Sequence, residues 1–455
     1  MKNLRPSSFA GALLAAALFA LPLPARAQDT ARADASMTNT PLPTYVIRGA
    51  RVVTVSGADI ENATVVISEG RISAVGANVP APPGAQVIEA AGLTVYPGMI
   101  DLGTNMGLTE ISSGAPGTTD TAELGDMNPN AAAVWAVNPH SSHVAVTRVE
   151  GVTSVLSMPS GGVVSGQAAF INLAGTSPRE MAVVPQAALV VNFPTLGGGG
   201  GGGFAAAQLA QQGITPDALT ARDRRVEELR RMFRDAEAYG RAQDAHARDP
   251  KSVPRPTTDL KLAALVPYAR GERPVVFRAE REREIRGAVR FAEELKLKAV
   301  IIGGSDSVKV AQLLKERDVA VILDSVLNLP LREDDPYDTL FENASKLQAA
   351  GVRFCISTGD SGAHVRDLPF HAGMAAAYGL PRAEALKAVT LYPAQILGVA
   401  DRVGSVEQGK LANLVVTDGD ILEARTRVRH LFIGGRQIPL VSRHTMLYEQ
   451  FKDRK

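Results

Sequence analysis

The side chains best suited to moving protons or holding a metal are seven histidines, and their spacing sorts them. His364 and His371 lie in the segment Asp360 to His371, which follows the last short apolar run of the chain's centre. Of the seven, His364 is the best acid or base, with a structural hydrogen bond as its alternative role, while His371 opens an alanine-rich helix and reads as core or cap. His140-Ser141-Ser142-His143 sets two imidazoles on one face of a helical turn. Two ligands alone make a poor metal site, so capping or hydrogen bonding is the favoured role there. His246 sits in a charged surface run, and His430 and His444 lie in the closing part of the chain with no catalytic expectation.

Other polar residues cluster where connections should carry chemistry. Thr109-Glu110, Thr119-Asp120, Glu123, Asp126 and Asn128 follow one apolar run, and Pro159 to Gln167 follows the next, with glycines that let backbone approach a ligand. That stretch lacks the spacing of a phosphate loop. Arg281-Glu282-Arg283-Glu284 reads as a helix start beside a connection. For most of this set, hydrogen bonding within loops is the bland alternative.

The elements that must position these groups alternate along the chain. Short buried runs occur at Met99 to Gly103, Val152 to Ser157, Ala169 to Leu173, Ala188 to Phe193, Pro274 to Arg278, Ala299 to Gly303, Ala320 to Leu323 and Arg353 to Thr358. Helical spacing lies between them, as in Ile285 to Lys296 and Val308 to Lys315. Eight such units predict an α/β fold closed as a (β/α)8 TIM-like barrel over about residues 95–394, rather than an open doubly wound sheet. Strand-like segments at 45–94 and 395–440 predict one small β-sandwich completed by both chain ends, each part too short for a core of its own. A helical excursion at 196–260 interrupts the rhythm, with seven glycines at Gly197 to Gly203 and an expected helix from about Asp223 to Ala245 whose apolar stripe is Val226, Leu229, Phe233 and Ala236. It reads as a solvent loop, with a lid over the barrel mouth as the functional alternative, and residues 441–455 read as a tail.

Composition narrows the function classes. Lys plus Arg number 48 against 47 Asp plus Glu, which leaves no basic field for a nucleic acid. A single cysteine, Cys355, cannot close an internal disulfide. Lys2 and Arg5 precede an apolar run from Phe9 to Leu23, and Ala25-Arg26-Ala27 has the small-x-small pattern of a signal-peptide cleavage site. The expected leader is therefore 1–27, followed by a linker at 28–44, and its removal takes the formal charge from +1 to −2. No later run suits a membrane span, so the expected product is soluble and secreted or periplasmic.

Three stretches, Gly92 to Asp101 with its Tyr96-Pro97-Gly98-Met99-Ile100-Asp101 core, Gly379 to Ala394, and Leu397 to Val416, resemble the amidohydrolase superfamily. The branch they are most similar to is the imidazolonepropionase and prolidase-like one, and the resemblance covers Tyr45 to about Ile438. It implies a metal-dependent hydrolase of amide or other C–N bonds, with one or two divalent ions. The ligands would be a His-x-His after the first barrel strand, a Lys or Glu on the fourth, a His on the fifth and sixth, and an Asp on the eighth. Here those positions carry Gly103 and Asn105, Asn192, Arg278, Gly303 and Asp360, and only Asp360 keeps its type.

Glycine offers no ligand, neutral asparagine a weak one, and arginine a permanent positive charge, so the usual metal site and its cofactor are expected to be absent. Asp360 and His364 are then the acid–base candidates, and Asn105, Glu110, Gln167, Asn192, Arg278 and Arg281 the candidate substrate contacts. Arg278 is expected to face Asp360 across the mouth, or to fork onto a substrate carboxylate. Two functions fit: an exported hydrolase of small amide- or peptide-like molecules with a degenerate metal site, and a noncatalytic pseudoenzyme that binds a related ligand or a protein. A homo-oligomer is compatible with either.

Overall fold

The structure is a computed structural model, and it describes residues 42–111, 115–194, 216–324, 326–359 and 361–454. The expected leader, the tract Gly197 to Gly203 and the candidate acid Asp360 lie outside the described residues.

From the start of the described chain come β1 (Tyr45–Val52), β2 (Ile60–Ser68), β3 (Arg71–Gly76), β4 (Gln86–Glu89) and β5 (Thr94–Pro97). The barrel strands follow as β6 (Met99–Thr104), β7 (Val152–Ser157), β8 (Val164–Asn172), β9 (Ala182–Asn192), β10 (Pro274–Ala279), β11 (Lys298–Gly303), β12 (Ala320–Leu323) and β13 (Phe354–Ile356). The last three are β14 (Leu414–Thr417), β15 (Val428–Ile433) and β16 (Arg436–Gln437).

Both chain ends build one sheet in the order β16-β15-β14-β5-β1-β2-β3, with β4 also paired to β1. The central contact is β14 against β5, where Val416 opposes Val95. Ile47, Val52, Val65, Val95, Leu414 and Phe432 then share one buried cluster. Hairpin turns lock the ends together: Glu69-Gly70 between β2 and β3, and Gly434-Gly435 between β15 and β16, all four residues at positive φ. A side chain on Gly435 would strike the Gly70 backbone, so glycine is required where the two turns touch.

The second sheet runs β6 to β13 in sequence order as a nearly closed barrel. Leu156, Phe170, Val190, Val276, Val300, Ile322 and Cys355 pack together in one buried cluster inside it. One strand departs from a regular (β/α)8 barrel: β8 pairs antiparallel with both β7 and β9. The link between β7 and β8, residues 158–163, is too short for a parallel crossover, which needs a dozen or more residues. On the other side the crossovers carry helices Glu282–Glu294, Ala311–Glu316 and Thr339–Ala350, and the strands are parallel.

The excursion's helix spans Pro216–Arg248, longer than its apolar stripe suggests, and buries Leu229, Phe233 and Ala236. Phe233 meets Phe291 of helix Glu282–Glu294 edge-on at 6.0 Å, and Phe193 and Phe277 complete that aromatic layer. This helix lies outside the barrel wall. No described helix is long and apolar enough to cross a membrane.

Candidate functional site

The C-terminal ends of the parallel strands form the mouth, where β10 brings Val276 and Arg278 onto one face by strand alternation and Glu280 follows directly past its end. Val276 belongs to the interior cluster, so Arg278 continues the inward face, and Glu280 lines the open space beyond it. Glu280 Oε2 accepts from Ser305 Oγ at 2.6 Å and from the Ser305 backbone N–H at 3.2 Å. Burial pushes its carboxyl above the ordinary range against those two bonds, with Glu284 adding to the rise and Arg278 opposing it. A carboxyl so placed keeps a proton to higher pH than an exposed glutamate does.

Around it lies a cleft of about 390 Å³, lined by Glu280, Ser305, Asp324, Thr358, Ser361 and His364 on its polar side and by Leu329, Leu331 and Leu340 on its apolar side. Its wall after β12 is pinned. Arg332 forks onto Asp306, Nη2 to Oδ2 at 2.9 Å and Nη1 to Oδ1 at 3.2 Å, while Lys309 reaches Oδ1 at 2.8 Å. Burial alone would raise the Asp306 pKa, but Arg332 and Lys309 outweigh it and hold the group at about 2.

The opposite side of the mouth is arranged differently. Asn192 Nδ2 donates to Gly162 O at 2.7 Å, Ser165 Oγ at 3.2 Å and Gly161 O at 3.4 Å, tying the β7–β8 link to β9. Asn105 Oδ1 accepts from the Gly362 N–H at 2.8 Å. Between β6 and β13 the seam is bridged by Asp101, which is fully buried. Its carboxylate accepts from Ser357 Oγ at 2.5 Å, Thr358 Oγ1 at 2.6 Å, Thr358 N–H at 3.1 Å and Gly103 N–H at 2.9 Å. Burial raises its pKa despite these four bonds.

Comparison with known proteins now bears on this arrangement. The model of the amidohydrolase family matches residues 286–438. An amidohydrolase from Thermotoga maritima MSB8 is 25% identical, with 87% of this chain and 99% of that one covered at a TM-score of 0.74. The matched segment and this structural likeness support the amidohydrolase superfamily.

A prolidase complexed with N-methylphosphonate-L-proline shares the fold at 18% identity and a TM-score of 0.52, covering 87% of this chain and 99% of that one. A stretch of 37 residues is 57% identical to N-acetylglucosamine-6-phosphate deacetylase of Haemophilus influenzae. It spans only 8% of this chain and 10% of that protein.

The positions at which amidohydrolases of this resemblance would carry metal ligands are filled here by other side chains. A Cβ on Gly103 would collide with Ser357 Oγ, and one on Gly303 with the Glu280 carboxylate. The amides of Asn105 and Asn192 are engaged by backbone, and Arg278 brings a cation. Among the described residues no three His, Cys, Asp or Glu side chains gather as a metal site. Gly103, Asn105, Asn192, Arg278 and Gly303 are not the His, Lys or Glu ligands that the resemblance implies.

The remaining expectations divide. His364 lines the cleft. Asp360, its intended partner, is outside the described residues, so the facing of Arg278 and Asp360 is too. Glu110 Oε1 accepts from Asn138 Nδ2 at 3.2 Å in the loops after β6. His143 Nε2 lies 3.1 Å from the Glu110 carbonyl, the hydrogen-bonding role its spacing favoured over metal. Gln167 is buried and donates to Pro129 O at 2.8 Å. Arg281 is the exposed N-cap of helix Glu282–Glu294. None of Glu110, Gln167 and Arg281 lines the cleft.

Sequence reasoning overlooked Glu280, Ser305 and Asp306. The signal available was position: Glu280 directly follows the strand that carries Arg278, and a glycine at 303 leaves space opposite.

Proposed function

We propose that this chain is an exported amidohydrolase-like protein that hydrolyses amide C–N bonds of small molecules without the family's metal shell. The observation that carries the reading is that Glu280, with its raised pKa, and His364 line one open cleft at the barrel mouth. In this scheme the His364 imidazole takes a proton from water as its oxygen attacks the amide carbon. Protonated Glu280 gives its proton to the departing nitrogen, so the C–N bond breaks and an acid and an amine leave. Ser305, bonded to Oε2, fixes which way the carboxyl turns. Export rests on the leader-like residues 1–27.

Release of amine from N-acyl amino acids, dipeptides and cyclic amides by the purified mature protein tests this. Turnover is expected to survive chelation, with zinc well below one equivalent, and Glu280→Gln is expected to lower it about a hundredfold or more. Near-stoichiometric zinc, with activity lost on its removal, would sink the metal-free reading.

A second reading, a noncatalytic barrel that binds the same kind of ligand, is favoured by the packing of Ser357 and Glu280 into the spaces beside Gly103 and Gly303. Saturable binding with no amine released by wild type is the result that selects it.

A further inference from the structure

The cleft's lining carries more information than its candidate acid and base. Leu329 is 86% exposed, and Leu327 and Leu331, in the same loop after β12, are 40% and 37% exposed. Leu329 and Leu331 line the cleft, and buried Leu340 stands behind them. A leucine side chain left almost wholly in water gains free energy from any apolar group that covers it. Next to Leu331 the loop is tied down where Arg332 forks onto Asp306.

The opposite wall is polar. Glu280 and Asp324 contribute carboxyl groups, and neither lysine nor arginine is among the described lining residues. Two arginines lie near enough to matter. Arg332 is committed to Asp306, and Arg278 is not among the residues that line the cleft. A ligand carboxylate placed here would lose water with neither lysine nor arginine among the described lining residues to offset the cost. An uncharged amide group meets hydroxyls, carboxyls and an imidazole that can donate to it or accept from it.

We infer that this cleft selects small amides that carry a branched or aromatic apolar side chain and no carboxylate, with the side chain seated on Leu329 and Leu331. The inference rests on the cleft being the ligand site of the function proposed above. It departs from the sequence-based expectation of an acidic substrate group held by Arg278.

Calorimetric titration of the full mature protein with N-acetyl-L-leucinamide, N-acetyl-L-leucine and N-acetylglycinamide tests it. Leucinamide is expected to bind about tenfold or more tightly than either of the others, since each lacks one of the two recognised features. The double variant Leu329→Ser/Leu331→Ser is expected to remove most of the advantage over glycinamide while its melting temperature stays that of wild type, because both side chains are exposed. Equal or tighter binding of N-acetyl-L-leucine overturns the inference, as does absence of binding by all three. Selective binding without amine release would leave the inference standing and remove hydrolysis. Unselective binding with amine release would do the reverse.

Discussion

The two sides of the barrel mouth use the same kinds of residue to opposite ends. On the β6 to β9 side, Asp101, Asn105 and Asn192 all turn their polar atoms onto neighbouring backbone and hydroxyls, and β8 runs backward to close the wall. On the β10 to β13 side, Glu280, Asp324 and His364 stand around an open cleft, and apolar side chains are left in water beside them. Closed and open sides differ in what their polar side chains border, a filled wall or an open cleft, rather than in composition. Polar residues at a barrel mouth therefore do not by themselves mark a ligand site, and what decides is whether they border open space.

The test of largest expected effect compares one residue from each side. Asp101→Ala would strand the Ser357 and Thr358 hydroxyls and the N–H groups of Thr358 and Gly103 inside the seam. A loss of about 3 to 5 kcal/mol in urea unfolding is expected, as for other broken buried networks. Leu329→Ala on the open side should stay within about 0.5 kcal/mol of wild type. Similar denaturant midpoints for the two variants would break the comparison.

The difference between the sides explains how much could be read beforehand. All eight barrel strands were legible because each is a short buried run, and the expected positions overlap the observed ones at every strand. The direction of β8 was not, since a buried strand has the same apolar pattern either way, and only the short link at 158–163 held the signal. Missing ligands at Gly103 and Gly303 were legible as residue types. That Ser357 and Glu280 would occupy the vacated spaces depends on strands far apart in sequence. Glu110, Gln167 and Arg281 looked like site residues because they flank the strand ends, but their contacts are those of loop, wall and helix cap.

A second test concerns the support beneath the open side, and it is a pH effect. His371, in helix Leu368–Ala377, is buried with no partner for Nδ1 among the described residues. Burial first, and the charge of His364 second, lower its pKa from 6.5 to about 4. The fold thus holds the neutral ring. The stability this contributes is fully present above pH 6.5 and is lost as pH falls from 6.5 towards 4, by up to about 3 kcal/mol. Glu280 and Asp101, with raised values, act in the opposite sense and stabilise the fold as pH falls. Asp306 and Glu407, both held at about 2, lose their contribution mainly at still lower pH. The difference between wild type and His371→Leu isolates the histidine. The gap in unfolding free energy should shift in favour of the variant between pH 6.5 and 4 and be constant above pH 7. A gap that does not move with pH would show that His371 is not held neutral by burial.

The smallest expected effect is the sharpest probe of where the open side ends. Asn192→Ala removes a side chain that holds the Gly161 and Gly162 carbonyls and Ser165 Oγ. Asn192 is half-buried, so water can replace part of what is lost, and a destabilisation of about 1 to 2 kcal/mol is expected. Its position at the end of the fourth barrel strand is one from which the family resemblance would have it reach the reacting centre. If its amide belongs to the closed side instead, affinity for N-acetyl-L-leucinamide should match that of wild type even though the denaturant midpoint falls. The Leu329→Ser/Leu331→Ser variant should show the converse, weaker binding at an unchanged midpoint. A loss of affinity on Asn192→Ala as large as that of the leucine variant would mean that the link between β7 and β8 also touches the ligand, and the division of the mouth into a closed and an open side would fail at Asn192.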